Sequence, residues 1–213
     1  MNRITTVLFD FDGVVANTEP LYDRFWDNKA KDYHIDIPHF SAIIKGTTLP
    51  SIFATYFNDY SPAELQQIAA AITEYESRMS FPEVPGAIHF LHRLKEEGYK
   101  VGLVTSSSTE KMKIALKKMG LEDVFDALVT ADRISRGKPD PMCYLLAAEE
   151  LGVQPSACIV FEDSFSGIQS GCQAGMRVIG VATTHPAEKS RAAVYAVISD
   201  FRDESRILDY FKL

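Results

Sequence analysis

Short apolar, β-branched runs alternate with longer stretches of helical period along most of the chain. Residues 5–10 (TTVLFD), 100–105 (KVGLVT), 127–130 (ALVT), 157–162 (ACIVFE) and 177–181 (RVIGV) read as strands, with 195–198 (YAVI) a weaker last one. Several are continuously apolar instead of alternating, the pattern of strands buried on both faces of a parallel sheet. Helical periodicity fills the gaps at 87–97, 110–119, 141–151, 167–174 and, briefly, 204–211. Gly98, Gly120, Gly152 and Gly175 stand where four of these helices should end, since a helix terminus favours a residue that tolerates positive φ. Repeated strand–helix–strand units with short connections predict an α/β fold, a doubly wound, Rossmann-like parallel sheet.

One interval breaks the rhythm. Between the first two strands, residues 21–80 carry helical period without a convincing strand. Leu21, Phe25 and Trp26 mark one apolar stripe; Ile52, Phe53, Tyr56 and Phe57 mark another; Leu65, Ile68, Ile72 and Tyr75 a third. Ser61-Pro62-Ala63-Glu64 has the form of a capping box at a helix start. The expected organisation is therefore an α/β core domain of residues 1–16 and 83–213, interrupted by an all-helical cap of residues 17–82. Repeats and low-complexity tracts are lacking.

Composition narrows the class. Hydrophobic residues make up 46% and charged residues 24% of the 213, ordinary for a globular protein and too apolar for a disordered one. Asp plus Glu number 29 against 22 Lys plus Arg, a net charge of −7, so no nucleic-acid partner is expected. No apolar run approaches the roughly 20 residues that span a bilayer, so no membrane partner is expected either. The start, MNRITTVLFDFDG, has acids where a secretory leader needs its apolar stretch. Cys143, Cys158 and Cys172 are too scattered for a disulfide framework or a CxxC metal knuckle. They point to reduced, mostly buried thiols in a cytoplasmic protein, with a monomer as the default.

Ligands of doubly wound sheets bind beyond the carboxyl ends of the strands, so the residues that follow each strand are the candidates for chemistry. The first strand ends in Asp10-Phe11-Asp12-Gly13. Two carboxylates two residues apart share a side of an extended chain, where one can attack as nucleophile while the other handles a proton. The alternative is a plain Asp-Gly turn. The second strand runs into Thr105-Ser106-Ser107-Ser108-Thr109, whose hydroxyls and N–H groups suit an anion such as phosphate and equally suit a helix cap at Ser108 or Thr109. After the third strand, Lys138 precedes Asp140-Pro141, a cap-like helix start. Its ammonium would reach a phosphate or steady a nucleophilic carboxylate, unless it is simply solvated. The fourth strand ends in Glu162-Asp163-Ser164, and two acids beside so apolar a run are costly to bury unless paired or placed on a cation. Asp163 or Ser164 as a helix cap would explain one of these residues but leave the other acid over. Acids, hydroxyls, a lysine and acids at successive strand ends together describe a site that binds Mg²⁺ and a phosphoryl group and attacks phosphorus with a carboxylate.

DFDGV, the TSSS loop, GKPDP and EDSFSGI resemble, in that order and over nearly the whole chain, the four motifs of the haloacid dehalogenase superfamily, whose members are mostly phosphotransferases. The helical insertion resembles the cap of its β-phosphoglucomutase-like branch, which closes over the substrate. The resemblance implies Asp10 as the nucleophile that forms an aspartyl-phosphate and Asp12 as general acid and base. It implies Ser106, or its neighbour Thr105, and Lys138 as phosphate holders. Mg²⁺ would be held by Asp10, the backbone carbonyl of Asp12 and Asp163, with Glu162 assisting.

The dehalogenases of the superfamily lack the second aspartate of the first motif, so Asp12 argues against dehalogenation. β-Phosphoglucomutases carry a histidine where this chain has Tyr22. Lys45-Gly46 matches their cap lysine and glycine, but Leu49 stands at the position of the arginine that grips a second phosphate. Asn17-Thr18-Glu19-Pro20-Leu21-Tyr22 resembles instead a segment of the branch's sugar-phosphate phosphatases. Glu19, Tyr22 and Lys45 are candidate substrate residues of the cap, Glu19 being equally readable as a helix-start acid and Lys45 as a solvated lysine. The expected activity is a Mg²⁺-dependent phosphatase acting on a small phosphorylated metabolite, a sugar phosphate above all. The alternative is a β-phosphoglucomutase-type phosphomutase. A non-catalytic phosphate binder is a third class, disfavoured by the intact Asp10/Asp12 pair.

Overall fold

The continuously apolar runs pair in parallel, because strands buried on both faces must find helices for each. The computed structural model describes residues 3–29 and 32–212. Its strands are β1 (Thr6–Phe9), β2 (Lys100–Val104), β3 (Ala127–Val129), β4 (Cys158–Glu162), β5 (Arg177–Val181) and β6 (Ala196–Ile198). They form one parallel sheet in the order β3-β2-β1-β4-β5-β6. The chain leaves β1 toward β2 on one side and reaches β4 on the other, so the order reverses at β1, where such sheets place their ligands.

The helices are α1 (Glu19–Lys29), α2 (Phe40–Ile44), α3 (Leu49–Tyr56), α4 (Pro62–Arg78), α5 (Ala87–Glu96), α6 (Thr109–Met119), α7 (Met142–Glu150), α8 (Phe165–Gln173), α9 (Ala187–Ser190) and α10 (Glu204–Asp209). On one face of the sheet Phe90, Leu91 and Leu94 of α5 and Met112 and Ala115 of α6 close over Val7, Phe9 and Leu103. Within that layer Phe9 stacks on Phe161 and Phe90 on Phe201, while Phe90 meets Phe161 edge to face. On the other face Tyr144, Ala147 and Ala148 of α7 and Ile168 of α8 cover Leu8, Val104 and Val160. Among the described residues no helix is long and apolar enough to cross a membrane.

Helices α1 to α4 form the inserted cap and bury a core of their own. Phe25, Trp26, Phe40, Ile44, Ile52, Phe57, Ile68 and Ile72 cluster there, the stripes seen in the sequence turned inward. Ser61 and Glu64 make the capping box that starts α4. The two chain crossings between sheet and cap are tied together, with the Asn17 N–H donating to Pro82 O at 2.7 Å and the Val84 N–H to Val15 O at 3.0 Å.

Among the differences from expectation, two helix starts and one missed helix have a clear local reason. Helix α7 starts at Met142, one residue late, because Asp140 Oδ1 accepts the Met142 N–H and leaves Pro141 just outside. Helix α8 starts at Phe165, two residues early, because Ser164 Oγ accepts the Gly167 N–H and so caps it. Helix α9, four residues long, has too few turns to leave a periodic signal.

Candidate active site

Register brings the motifs to one height. Phe9 pairs with both Leu103 and Phe161, so Asp10, one residue on, lies level with Val104 and Glu162. The loop before α7 adds Lys138, buried beneath them. Its ammonium donates to Asp10 Oδ1 at 2.8 Å, to Glu162 Oε1 at 2.6 Å and to the Val104 carbonyl at 3.2 Å. Glu162 is saturated: Tyr144 donates to Oε1, while the Asp163 and Ser164 N–H groups and the Ser164 hydroxyl share Oε2. Gly167 permits this, since a Cβ there would overlap the Glu162 carboxylate.

Asp163 is reached from the far side of the sheet. After β5, the Thr184 hydroxyl donates to Asp163 Oδ2 and the Thr183 hydroxyl to the Gly13 carbonyl at 2.5 Å. Gly13 has φ +76° and would drive any Cβ into the Asp163 carboxylate, so the turn after Asp12 requires glycine.

Burial dominates the electrostatics. It pushes the Asp10 carboxyl up to about 7, against the pull of Lys138 and with the help of Glu162 and Asp12. Burial, followed by Glu162 and Asp10, holds Asp163 well above the usual carboxylate range. Lys138 runs the opposite way: burial alone would lower its ammonium, and Asp10 and Glu162 outweigh it. Oxygens of Asp10, Glu162 and Asp163 lie within 4.8 Å of one another. Fully ionised, the three buried carboxylates against one ammonium would carry −3 + 1 = −2, and every donor is oxygen. A hard divalent cation such as Mg²⁺ fits that set; a soft metal does not.

Asp12 is engaged elsewhere. Lys111 Nζ donates to both of its oxygens, at 2.7 and 2.6 Å, and Thr18 and Ser107 (2.8 Å) donate as well. Burial would raise this carboxyl, but Lys111 and the two hydroxyls outweigh it and hold it below the ordinary value. In the loop after β2, Ser106 Oγ donates to the Gly46 carbonyl of the cap at 2.9 Å. Thr105, buried, accepts the Ser107 N–H. The Thr105 hydroxyl, which lines the cavity, keeps its proton to donate, while that of Ser106 is committed to the cap.

A cavity of about 210 Å³ lies between cap and core, lined by Asp10, Asp12, Asp163 and Thr105 below and by Glu19, Tyr22 and Lys45 above. That is smaller than the roughly 300–1,000 Å³ of sites for drug-sized ligands, so it suits a small metabolite. Lys45 bridges Glu19 and Asp23, each at 3.1 Å. The Tyr22 hydroxyl donates to Glu76 Oε1 at 2.5 Å, and its ring lies 4.7 Å from Lys111 Nζ.

Lys111, Glu76 and Thr184 are among the site residues that the sequence pattern did not single out. Lys111 shares the inward face of α6 with Met112, Ala115 and Leu116, and Glu76 follows Ile68 and Ile72 at helical spacing on α4. A charge on an apolar stripe was the available signal for both. Thr184 had none, since its role depends on where the loop after β5 lies.

Comparison with known proteins agrees with this geometry. The family model for haloacid dehalogenase-like hydrolases matches residues 7–181. Hexitol phosphatase A of Escherichia coli is 34% identical over 194 residues, covering 89% of this chain and 87% of that protein. Validoxylamine A 7'-phosphate phosphatase of Streptomyces hygroscopicus is 32% identical over 187 residues, covering 85% and 87%. The crystal structure of a β-phosphoglucomutase from Clostridium difficile superposes with a TM-score of 0.82 at 25% identity, covering 98% and 97%. With its acids and lysine gathered at the reversal point of a parallel sheet beneath a helical cap, the chain belongs to the haloacid dehalogenase-like hydrolases.

Proposed function

We propose that the protein is a Mg²⁺-dependent phosphatase that hydrolyses a small sugar-phosphate-like metabolite through an aspartyl-phosphate on Asp10. The carrying observation is the buried Lys138, which bridges Glu162 to Asp10, the carboxylate that lines the capped cavity. Lys138 takes Asp10 Oδ1, and among the described residues no donor reaches Oδ2, which is left to attack phosphorus. Thr105, which lines the cavity, can donate to a transferring oxygen, while Lys138 beneath Asp10 offsets the negative charge that gathers there. Asp12, which must first take up a proton because Lys111 holds its carboxyl below the ordinary value, gives that proton to the leaving oxygen and later takes one from the water that attacks the phosphorylated Asp10. To do so its carboxyl must swing free of Lys111. A Mg²⁺ held by Asp10, the Asp12 carbonyl and Asp163 would offset phosphoryl charge as the nucleophile approaches; Glu162 serves that set by anchoring Lys138.

Hydrolysis is favoured over phosphoryl transfer to a second sugar hydroxyl by Leu49, which lines the cavity where the mutases' second-phosphate arginine is expected. Relatives named as phosphatases support the same choice. The likeness to a β-phosphoglucomutase structure makes the phosphomutase the second reading. β-Glucose 1-phosphate with a bisphosphate primer separates the two, giving inorganic phosphate from a phosphatase and glucose 6-phosphate from a mutase. The reading includes a cytoplasmic monomer, which rests on composition and on Cys143, Cys158 and Cys172 being free thiols.

Asp10→Asn tests the mechanism. Hydrolysis of p-nitrophenyl phosphate should be abolished while the circular-dichroism spectrum and thermal midpoint stay near those of the wild type. Retained turnover sinks the reading.

A further inference from the structure

We infer that Glu76, held by Tyr22, is the residue that reads the uncharged, hydroxyl-bearing body of the substrate remote from its phosphate. The inference rests on the phosphatase reading and extends it to substrate class. Glu76 and Ile72 lie one turn apart on the inward face of α4, and both line the cavity. An ionised carboxylate only accepts hydrogen bonds, and each of its two oxygens has room for more than one. Tyr22 takes Oε1 at 2.5 Å, and among the described residues nothing donates to Oε2. The Tyr22 hydroxyl has thereby spent its proton on Glu76, so it positions that side chain and is not itself a donor to substrate.

Charge in the cavity wall decides what Glu76 can receive. The two ammonium groups that line it are both committed, Lys111 to Asp12 and Lys45 to Glu19 and Asp23. A second phosphate or a carboxylate on the substrate would find no uncommitted cation among these lining residues, and would face Glu19 and Glu76. A hydroxyl finds what it needs, a fixed acceptor in a partly desolvated site. A site built to hold an O–H discriminates strongly against analogues that lack it, because its own polar group is then left unpaired. The chemistry points to a monophosphate of a sugar or polyol.

The test uses the full chain and compares sorbitol 6-phosphate and glucose 6-phosphate with p-nitrophenyl phosphate, which has no hydroxyl to offer. Glu76→Gln keeps an acceptor oxygen for Tyr22 but places an amide where Oε2 was. It should lower the ratio of polyol to aryl kcat/KM about ten- to a hundredfold, the worth of a hydrogen bond to a charged group, chiefly through KM. Glu76→Ala should do the same. In the wild type, fructose 1,6-bisphosphate should be a poorer substrate than either monophosphate. A ratio unchanged in both variants, or equal losses on all substrates, overturns the inference by reducing Glu76 to a support of the cap. A wild type that prefers the bisphosphate, or cleaves only the aryl ester, also overturns it while leaving the phosphatase reading in place. A wild type inert toward every phosphate overturns both.

Discussion

Thr184 illustrates how single residues set this site. Its hydroxyl is the donor aimed at Asp163 Oδ2, and Asp163 is pushed well above the ordinary carboxylate range by burial and by Glu162 and Asp10. Such a carboxylate is ready for a cation but needs a fixed rotamer to offer its free oxygen. Thr184→Val keeps the shape and removes the donor. Loss of such an outer partner typically weakens metal binding about ten- to a hundredfold. Titration calorimetry should show Mg²⁺ affinity falling by that order, and Thr184→Ser should restore it; unchanged affinity in the valine variant removes Thr184 from the metal's support. That Asp10, Lys138, Glu162 and Asp163 gather at one end of the sheet was legible from sequence, because three of them stand at the ends of apolar strands and Lys138 in the loop that leads from β3 to α7. Lys111 was not, because Lys113, Lys117 and Lys118 surround it on α6 and make it look like one more solvated lysine. Only its phase with Met112 and Ala115 sets it apart.

Among elements, strands were easier to place than their caps. Continuous apolar runs located all six strands to within a residue at each end, whereas the starts of α7 and α8 depended on which side chain captured a free N–H. The last helix shows how one contact docks an element. Glu204, at the start of α10, accepts from His89 and Arg93 of α5. The hydrogen bond to Glu204, followed by that residue's charge, raises the His89 pKa above the ordinary 6.5. Burial would raise Glu204, but Arg93 and His89 hold it below its usual value. A raised histidine stabilises the fold fully below its unfolded pKa, and that contribution is lost as pH rises through the folded value. The depressed Glu204 contributes above its unfolded pKa and loses that on acidification. The pair is therefore most favourable in mildly acidic solution, between those limits. An NMR titration should find His89 above 6.5, and Glu204→Gln should return it there; an unshifted His89 in the intact protein contradicts the contact.

At the scale of the whole molecule, the cap is seated on the sheet through its 45–48 loop. The Gly46 carbonyl accepts from Ser106, and a Cβ on Gly46 would stand 2.6 Å from Ser166 Oγ. Gly137, in the loop that carries Lys138, has room for no Cβ beside Thr48. At the opposite end of the cap, Lys118 of α6 donates to the carbonyls of Ser77 and Met79, at 2.9 and 3.0 Å, and so holds the last turn of α4 against the core. One end is tethered by a charged side chain; the other meets the catalytic loops glycine against serine, with nothing to spare. If the cap opens to admit substrate, that asymmetry would make the 45–48 loop its moving end. The substrate side of the site was hard to read in sequence because its partners are remote: Tyr22 and Glu76 lie 54 positions apart, and Tyr22 meets Lys111 across the boundary between cap and core. Gly46→Val prevents seating and, at φ +73°, strains the loop as well. A misplacement of about 1 Å at reacting groups costs on the order of a hundredfold in rate, so kcat/KM for glucose 6-phosphate should fall by that order. Trp26, the chain's single tryptophan and a lining residue of the cavity, reports the cause. Acrylamide should quench its fluorescence more strongly in the valine variant than in the wild type. Lower activity with unchanged quenching would show that the lid still closes and that the damage lies in the loop itself.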